Sequence, residues 1–199
     1  MNKLDLSKIK QLLRGKKGPT RLHIGCGTDY KEGWINIDNN SDNNIEKLDL
    51  NWDLRNPLSF KDGSVDYIFN EHFMEHLTPE EGQIALKDFM RVLRPGGVLR
   101  IAMPDLEAAV ENYRDKKWKD KGFLKEFGLD FVETRAELLN MSFRWWGHQW
   151  LYDWEELERR LKQAGWKKIY RAKWGKSEHI DLQGLEIRGE SRLIAEVEK

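Results

Sequence analysis

Cysteine is almost missing from this chain. Cys26 stands alone, so neither an internal disulfide nor a thiolate zinc centre can be built from it, which suits a reducing compartment. Surplus charge is missing too: 34 Lys and Arg face 34 Asp and Glu, for a formal net charge of zero. Without a global basic field nothing holds a phosphate backbone, and nucleic acid is disfavoured as a partner. No run approaches the ~20 apolar residues that span a bilayer. The N-terminal MNKLDLSKIKQLLRGKK interrupts its apolar residues with charge, where a secretory signal keeps them continuous. No internal repeat is visible. The expectation is a soluble cytoplasmic protein whose 199 residues fit a single domain, 1–199, with a core of its own.

Punctuated periodicity is what the chain does have. Leu4, Leu6, Ile9, Leu12 and Leu13 recur at helical spacing before Gly15, Gly18 and Pro19 end the pattern. Residues 21–24 and 34–38 alternate as short strands, 45–50 follow as a third, and 65–69 form an apolar run of strand length. Ile84, Leu86, Phe89, Val92 and Leu93 make a helical stripe with Thr78 as N-cap and Pro79 at the first helical position. Pro95-Gly96-Gly97 stops it, and a strand over 98–103 and a helix from Leu106 follow. Asp153 opens a last helix that Gly165 closes, with strands over 166–172 and 192–198 beyond it. Strands alternating with helices predict an α/β fold, a mainly parallel sheet with helices on both faces.

Gly25-Cys26-Gly27 directly follows the first strand, where a missing Cβ lets the backbone turn sharply and approach a ligand. A tight structural turn is the alternative reading. Asp38 closes the second strand, in place to accept both hydroxyls of a ribose. Only 13 residues separate it from Gly25, against roughly 20 in a dinucleotide fold, which leaves little room for a crossover helix. Asp53 and Leu54, after the third strand, could hold an adenine by carboxylate and apolar contact, or Asp53 could simply cap a turn.

In this order the pieces resemble the class I S-adenosylmethionine-dependent methyltransferases, nearest to the small type 11 group that includes methyltransferases often found beside cell-surface glycan genes. The resemblance rests on LHIGCGTDYKEGWINID (22–38), DLRNPLSFKDGSVDYIFNEHFMEHL (53–77), LKDFMRVLRPGGVLRIAMPD (86–105) and LYDWEELERRLKQAGW (151–166). It implies a Rossmann-like sheet of seven strands with the last inserted antiparallel, and S-adenosylmethionine as cofactor. It also implies that Gly25, Cys26 and Gly27 line the methionyl part, Asp38 the ribose, Asp53 and Leu54 the adenine, and Asn70 the methionyl amino group through its carbonyl. Asp29 stands where the family's third glycine is usual, which leaves the contacts of 28–34 open.

Ligands of open α/β sheets sit beyond the carboxyl ends of the strands, so Asn70, Glu71, His72 and Asp105 should edge the cleft. His148 and His72 are the candidate general bases, since an imidazole titrates near neutral pH; each could equally be a packed histidine. His23, inside the first strand, reads as structural. His72-Phe73-Met74-Glu75-His76 matches the HxxEH zinc-protease signature, but the family pattern explains Glu75-His76-Leu77 as helix packing, and no metal is expected. Five of nine tryptophans fall between 118 and 154. With Phe123, Phe127 and Phe131 at four-residue spacing they predict a helical aromatic lid insertion over about 118–150, carrying Trp145, Trp146 and His148 toward a small-molecule or glycan acceptor. A hydroxyl is the expected target, because the Asn/Asp-Pro-Pro-aromatic signature of amino-directed enzymes is absent. The alternatives are a non-catalytic S-adenosylmethionine-binding scaffold and an aminopropyl-type transferase.

Overall fold

Hydrophobic alternation and glycine punctuation produce seven strands in the order β3-β2-β1-β4-β5-β7-β6. The computed structural model describes residues 3–15, 17–41, 44–126 and 128–199. The strands are β1 (Arg21–Ile24), β2 (Ile35–Asp38), β3 (Leu50–Asn51), β4 (Val65–Glu71), β5 (Leu93–Met103), β6 (Lys168–Arg171) and β7 (Leu193–Glu198). All neighbours run parallel except β7, which lies antiparallel between β5 and β6. The expected Rossmann-like sheet is therefore the observed one.

The helices are α1 (Lys3–Leu13), α2 (Pro79–Val92), α3 (Leu106–Arg114), α4 (Phe123–Glu126), α5 (Arg135–Arg144) and α6 (Trp154–Ala164). Thr78 and Glu81 close a reciprocal capping box on α2, two first-turn donors satisfied at once. Asp153 caps α6, which ends on Gly165 at φ 105°, a left-handed position that glycine adopts without strain. Leu157 and Leu161 of α6 pack with Leu86, Phe89 and Val92 of α2 over Leu22, Ile24, Ile68 and Ile101. Trp166 joins them, its indole N–H donating to the Leu86 carbonyl. Ile84 is 49% exposed; it lies off the buried stripe, whose periodicity Ala85 completes.

Residues 25–34 link β1 to β2 without a helix, as the short spacing predicts. The buried Asn36 side chain organises this link, accepting from the Lys31 N–H and donating to the Lys31 and Trp34 carbonyls and to Asp49. Helices were expected on both faces of the sheet. On the face of Trp34, Phe69, Val98 and Ile194, however, the buried cover includes Leu182, on a 3-10 turn of the C-terminal segment, because a crossover this short cannot carry a helix. Arg100 pins that segment. Fully buried on β5, it donates to Glu186, Glu196 and the Lys173 and Lys176 carbonyls.

Two boundaries differ from expectation. The strand expected over 45–50 is reduced to Leu50–Asn51, because the Asn40 side chain exchanges hydrogen bonds with the Ile45 backbone and holds that stretch as a loop. Pro95-Gly96-Gly97 stops nothing: β5 already begins at Leu93, and a register shift between Val65 and Tyr67 accommodates the turn at Gly96.

The 118–150 insertion is helical and has its own core of Trp118, Leu124, Leu129, Val132, Leu138 and Met141. The expected helical phenylalanine face does not extend to Phe131. Phe131 is 52% exposed and outside any helix, stacked on Trp145, and Phe127 lies outside the described residues.

Candidate active site

The loop after β1 is shaped for close approach. Gly25 and Gly27 hold φ of 66° and 52°, conformations that cost other residues ~1–2 kcal/mol. A Cβ on Gly25 would stand 2.8 Å from the Phe73 ring, whereas one on Gly27 would meet nothing within 4 Å. The Gly25 and Cys26 N–H groups donate to the Ile37 carbonyl, and the Gly27 N–H donates to Asp38 Oδ2 at 2.7 Å. Asp38 therefore meets the glycine loop at the carboxyl ends of β1 and β2. Cys26 is buried, and burial, with Asp38 adding to it, pushes its thiol up to about 12; what Cys26 offers is backbone. Asp29, in place of a third glycine, pairs with Lys31 at 2.8 Å. His23 is structural as expected: buried, held down to about 4 by that burial, and bonded to Asn36.

Asn70 aligns with Ile24 and Ile101 at the end of β4. It is fully buried, and neither end of its side-chain amide finds a partner among the described residues. An unsatisfied buried amide beside a glycine cradle, with a carboxylate across from it, is what a polar, nucleoside-bearing ligand would complete. The residues present fit S-adenosylmethionine. Asp53 and Leu54 are less available than the sequence suggests. Asp53 is forked to Arg55 at 2.7 and 2.9 Å, an exposed pair worth little, and the Leu54 side chain is in the main core.

Next along the sheet, beyond β4 and β5, lies a cleft of about 960 Å³ bordered by His72, His76, Asp105, Met141, Trp146, His148 and Arg188. Its wall is built from distant segments. Buried Glu71 accepts from the Ile187 and Arg188 N–H groups and from Ser191 Oγ, fixing the C-terminal side. Asp105 caps α3, and burial raises its carboxyl above the ordinary range. The Gln149 and Trp150 N–H groups donate to the Glu75 carbonyl, and the Gln149 side chain to that of His76. These bonds strap the lid end against the segment after β4.

That strap brings His148 to His76, with ring centroids 5.0 Å apart, and sets His148 Nε2 3.9 Å from Glu75 Oε1. His148 Nδ1 lies 2.8 Å from the Ser142 carbonyl, which can only accept, so Nδ1 is the donor and Nε2 is the nitrogen turned to Glu75. His72 sits at φ 54°. Burial, then the charges of Arg188, His148 and His76, hold it down to about 3, which leaves it a weak base. Burial lowers His76 to about 4 and raises Glu75 to about 8. The HxxEH stretch is not one helix: residues 74–76 form a single 3-10 turn, and Glu75 and His76 face His148 where helix packing was expected. Sequence reading missed this constellation and Arg188; the HxxEH spacing was its one signal.

The family model described as a methyltransferase domain matches residues 23–101. No curated protein matches the chain. Among solved structures, an S-adenosylmethionine-dependent methyltransferase from Archaeoglobus fulgidus is 19% identical, with 98% of this chain and 94% of that one covered, at a TM-score of 0.56. A possible exported protein from Bordetella parapertussis is 13% identical, with 98% and 65% covered, at 0.51. At such identities the structural likeness is one of fold. The 23–101 match, which spans less than half of the chain, and the sheet order make the chain similar to S-adenosylmethionine-dependent methyltransferases.

Proposed function

We propose that the cleft beyond β4 and β5 takes a small or medium-sized acceptor and that the methyl group goes to a hydroxyl, as on a sugar or glycan precursor. The observation that carries this reading is the position of His148, on the wall of a cleft that also contains the exposed Trp146. S-adenosylmethionine, when bound, supplies an already activated methyl on a sulfonium. The protein's work is then to position a nucleophile and take its proton. Gly25, Cys26 and Gly27 would line the methionyl part, Asp38 would accept from the ribose hydroxyls, and the Asn70 carbonyl would accept from the amino group. Asp53 would reach adenine only by leaving Arg55. Of the two histidines proposed as base, His148 is the better placed, because His72 is too weakly basic. The single buried thiol of Cys26 accords with a cytoplasmic setting.

Asp38→Ala is expected to weaken S-adenosylmethionine and S-adenosylhomocysteine by about 1–3 kcal/mol, the cost of losing a charged hydrogen-bond partner; titration calorimetry measures both. Unchanged affinity would remove the ribose assignment. The acceptor is tested by incubating the protein with S-adenosylmethionine and panels of glycans, small phenols and amines, and following acceptor-dependent S-adenosylhomocysteine. Turnover confined to amines would overturn the hydroxyl reading.

A further inference from the structure

The geometry points to a divalent transition-metal site formed by Glu75, His76 and His148 in the wall of the acceptor cleft. One ligand atom from each residue lies within 4.8 Å of the other two. A tetrahedral ion with bonds of about 2.0–2.1 Å spaces its ligands about 3.4 Å apart, so a modest contraction closes the triangle. Two imidazoles and one carboxylate with a fourth position open is a zinc donor set.

Glu75 supplies the independent observation. Its side chain is 1% exposed, and neither carboxylate oxygen has a hydrogen-bond partner among the described residues. Four residues earlier, Glu71 is equally buried but accepts from two backbone N–H groups and a hydroxyl. The fold thus satisfies one buried carboxylate and leaves the other among imidazoles, with His72 Nδ1 at 3.6 Å and His148 Nε2 at 3.9 Å from Glu75 Oε1 and His76 beside them. Of the three, only His76 and His148 lie within 4.8 Å both of Glu75 and of each other. One of those imidazoles is prepared from behind: His148 Nδ1–H is committed to the Ser142 carbonyl, the kind of outer hydrogen bond that orients a metal-binding histidine. The backbone strap from Gln149 and Trp150 to Glu75 holds the two halves together. What the ion does rests on the acceptor reading above. In the loaded form His148 is a ligand in place of a base, and an acceptor hydroxyl in the open position loses its proton to solvent more readily.

The test uses the full chain, stripped with a chelator and titrated with Zn²⁺ against a chromophoric competitor, and separately with Co²⁺. One ion per chain is expected, with a tetrahedral Co²⁺ spectrum lacking thiolate charge-transfer bands, which excludes Cys26. Glu75→Gln and His148→Asn should each weaken binding about 10-fold or more, with circular dichroism and S-adenosylmethionine calorimetry showing that the fold persists. The inference is overturned if the wild type retains no ion, or if the folded variants bind as tightly as the wild type. The titration needs neither cofactor nor acceptor, so its failure leaves the methyl-transfer reading standing.

Discussion

Arg100→Met is expected to lower the unfolding free energy by about 3–5 kcal/mol, the cost of leaving partners of a buried ion pair uncompensated. The guanidinium has no exposed surface and stands 2.5 Å from both Glu186 and Glu196, whose side chains are 0% and 11% exposed. Two carbonyls of the C-terminal segment also lose their donor. Methionine fills much of the volume and satisfies none of these groups. Urea denaturation measures the loss, and adding Glu186→Gln and Glu196→Gln should recover a large part of it, because the stranded charges are then gone. The effect should reach the cleft, since the segment that Arg100 pins leads directly into the Ile187–Ser191 stretch held by Glu71. A loss below about 1 kcal/mol, the range of an exposed pair, would show that the segment is held by its apolar contacts alone.

His148→Ala is expected to leave S-adenosylmethionine affinity nearly intact while reducing turnover by roughly 10²-fold, the usual worth of a positioned base. The cradle at Gly25, Gly27 and Asp38 lies at the ends of β1 and β2, whereas His148 approaches from the lid side, and among the described residues no hydrogen bond links them. Because the ring is buried, alanine also leaves a cavity. His148→Asn separates the two effects: its amide can still donate to the Ser142 carbonyl, but nothing replaces Nε2. Equal rate losses in both variants, with the asparagine protein near wild-type stability, are the expected result. A packing role would instead lower the melting temperature of the alanine variant with no selective loss of rate.

The sheet was legible in the sequence because local signals and tertiary burial agree there. Arg21-Leu22-His23-Ile24 is bounded by a glycine turn, and α6 by Asp153 and Gly165, so pattern and cap give the same ends. The pattern failed where side chains override it. Asn40 ties up Ile45 and shortens β3, and Arg100 sits inside an otherwise apolar strand because its partners arrive from residues 173–196. At the site, the glycine loop and Asp38 could be read because they are adjacent across one short link. The Glu75–His76–His148 group could not, because His148 lies 73 and 72 residues beyond the other two and is brought to them by bonds from Gln149 and Trp150. Asp53 and Leu54 show the converse: residue types suited to adenine, which the fold has committed to Arg55 and to the core.

The most direct measurement of the central claim is a calorimetric titration of the folded wild-type chain with S-adenosylmethionine. A cradle of preformed backbone with one carboxylate across it predicts a single site per chain with micromolar-range affinity, on the order of −8 kcal/mol, and competition by S-adenosylhomocysteine at the same site. A folded protein that takes up neither ligand at millimolar concentration would contradict the account at its root.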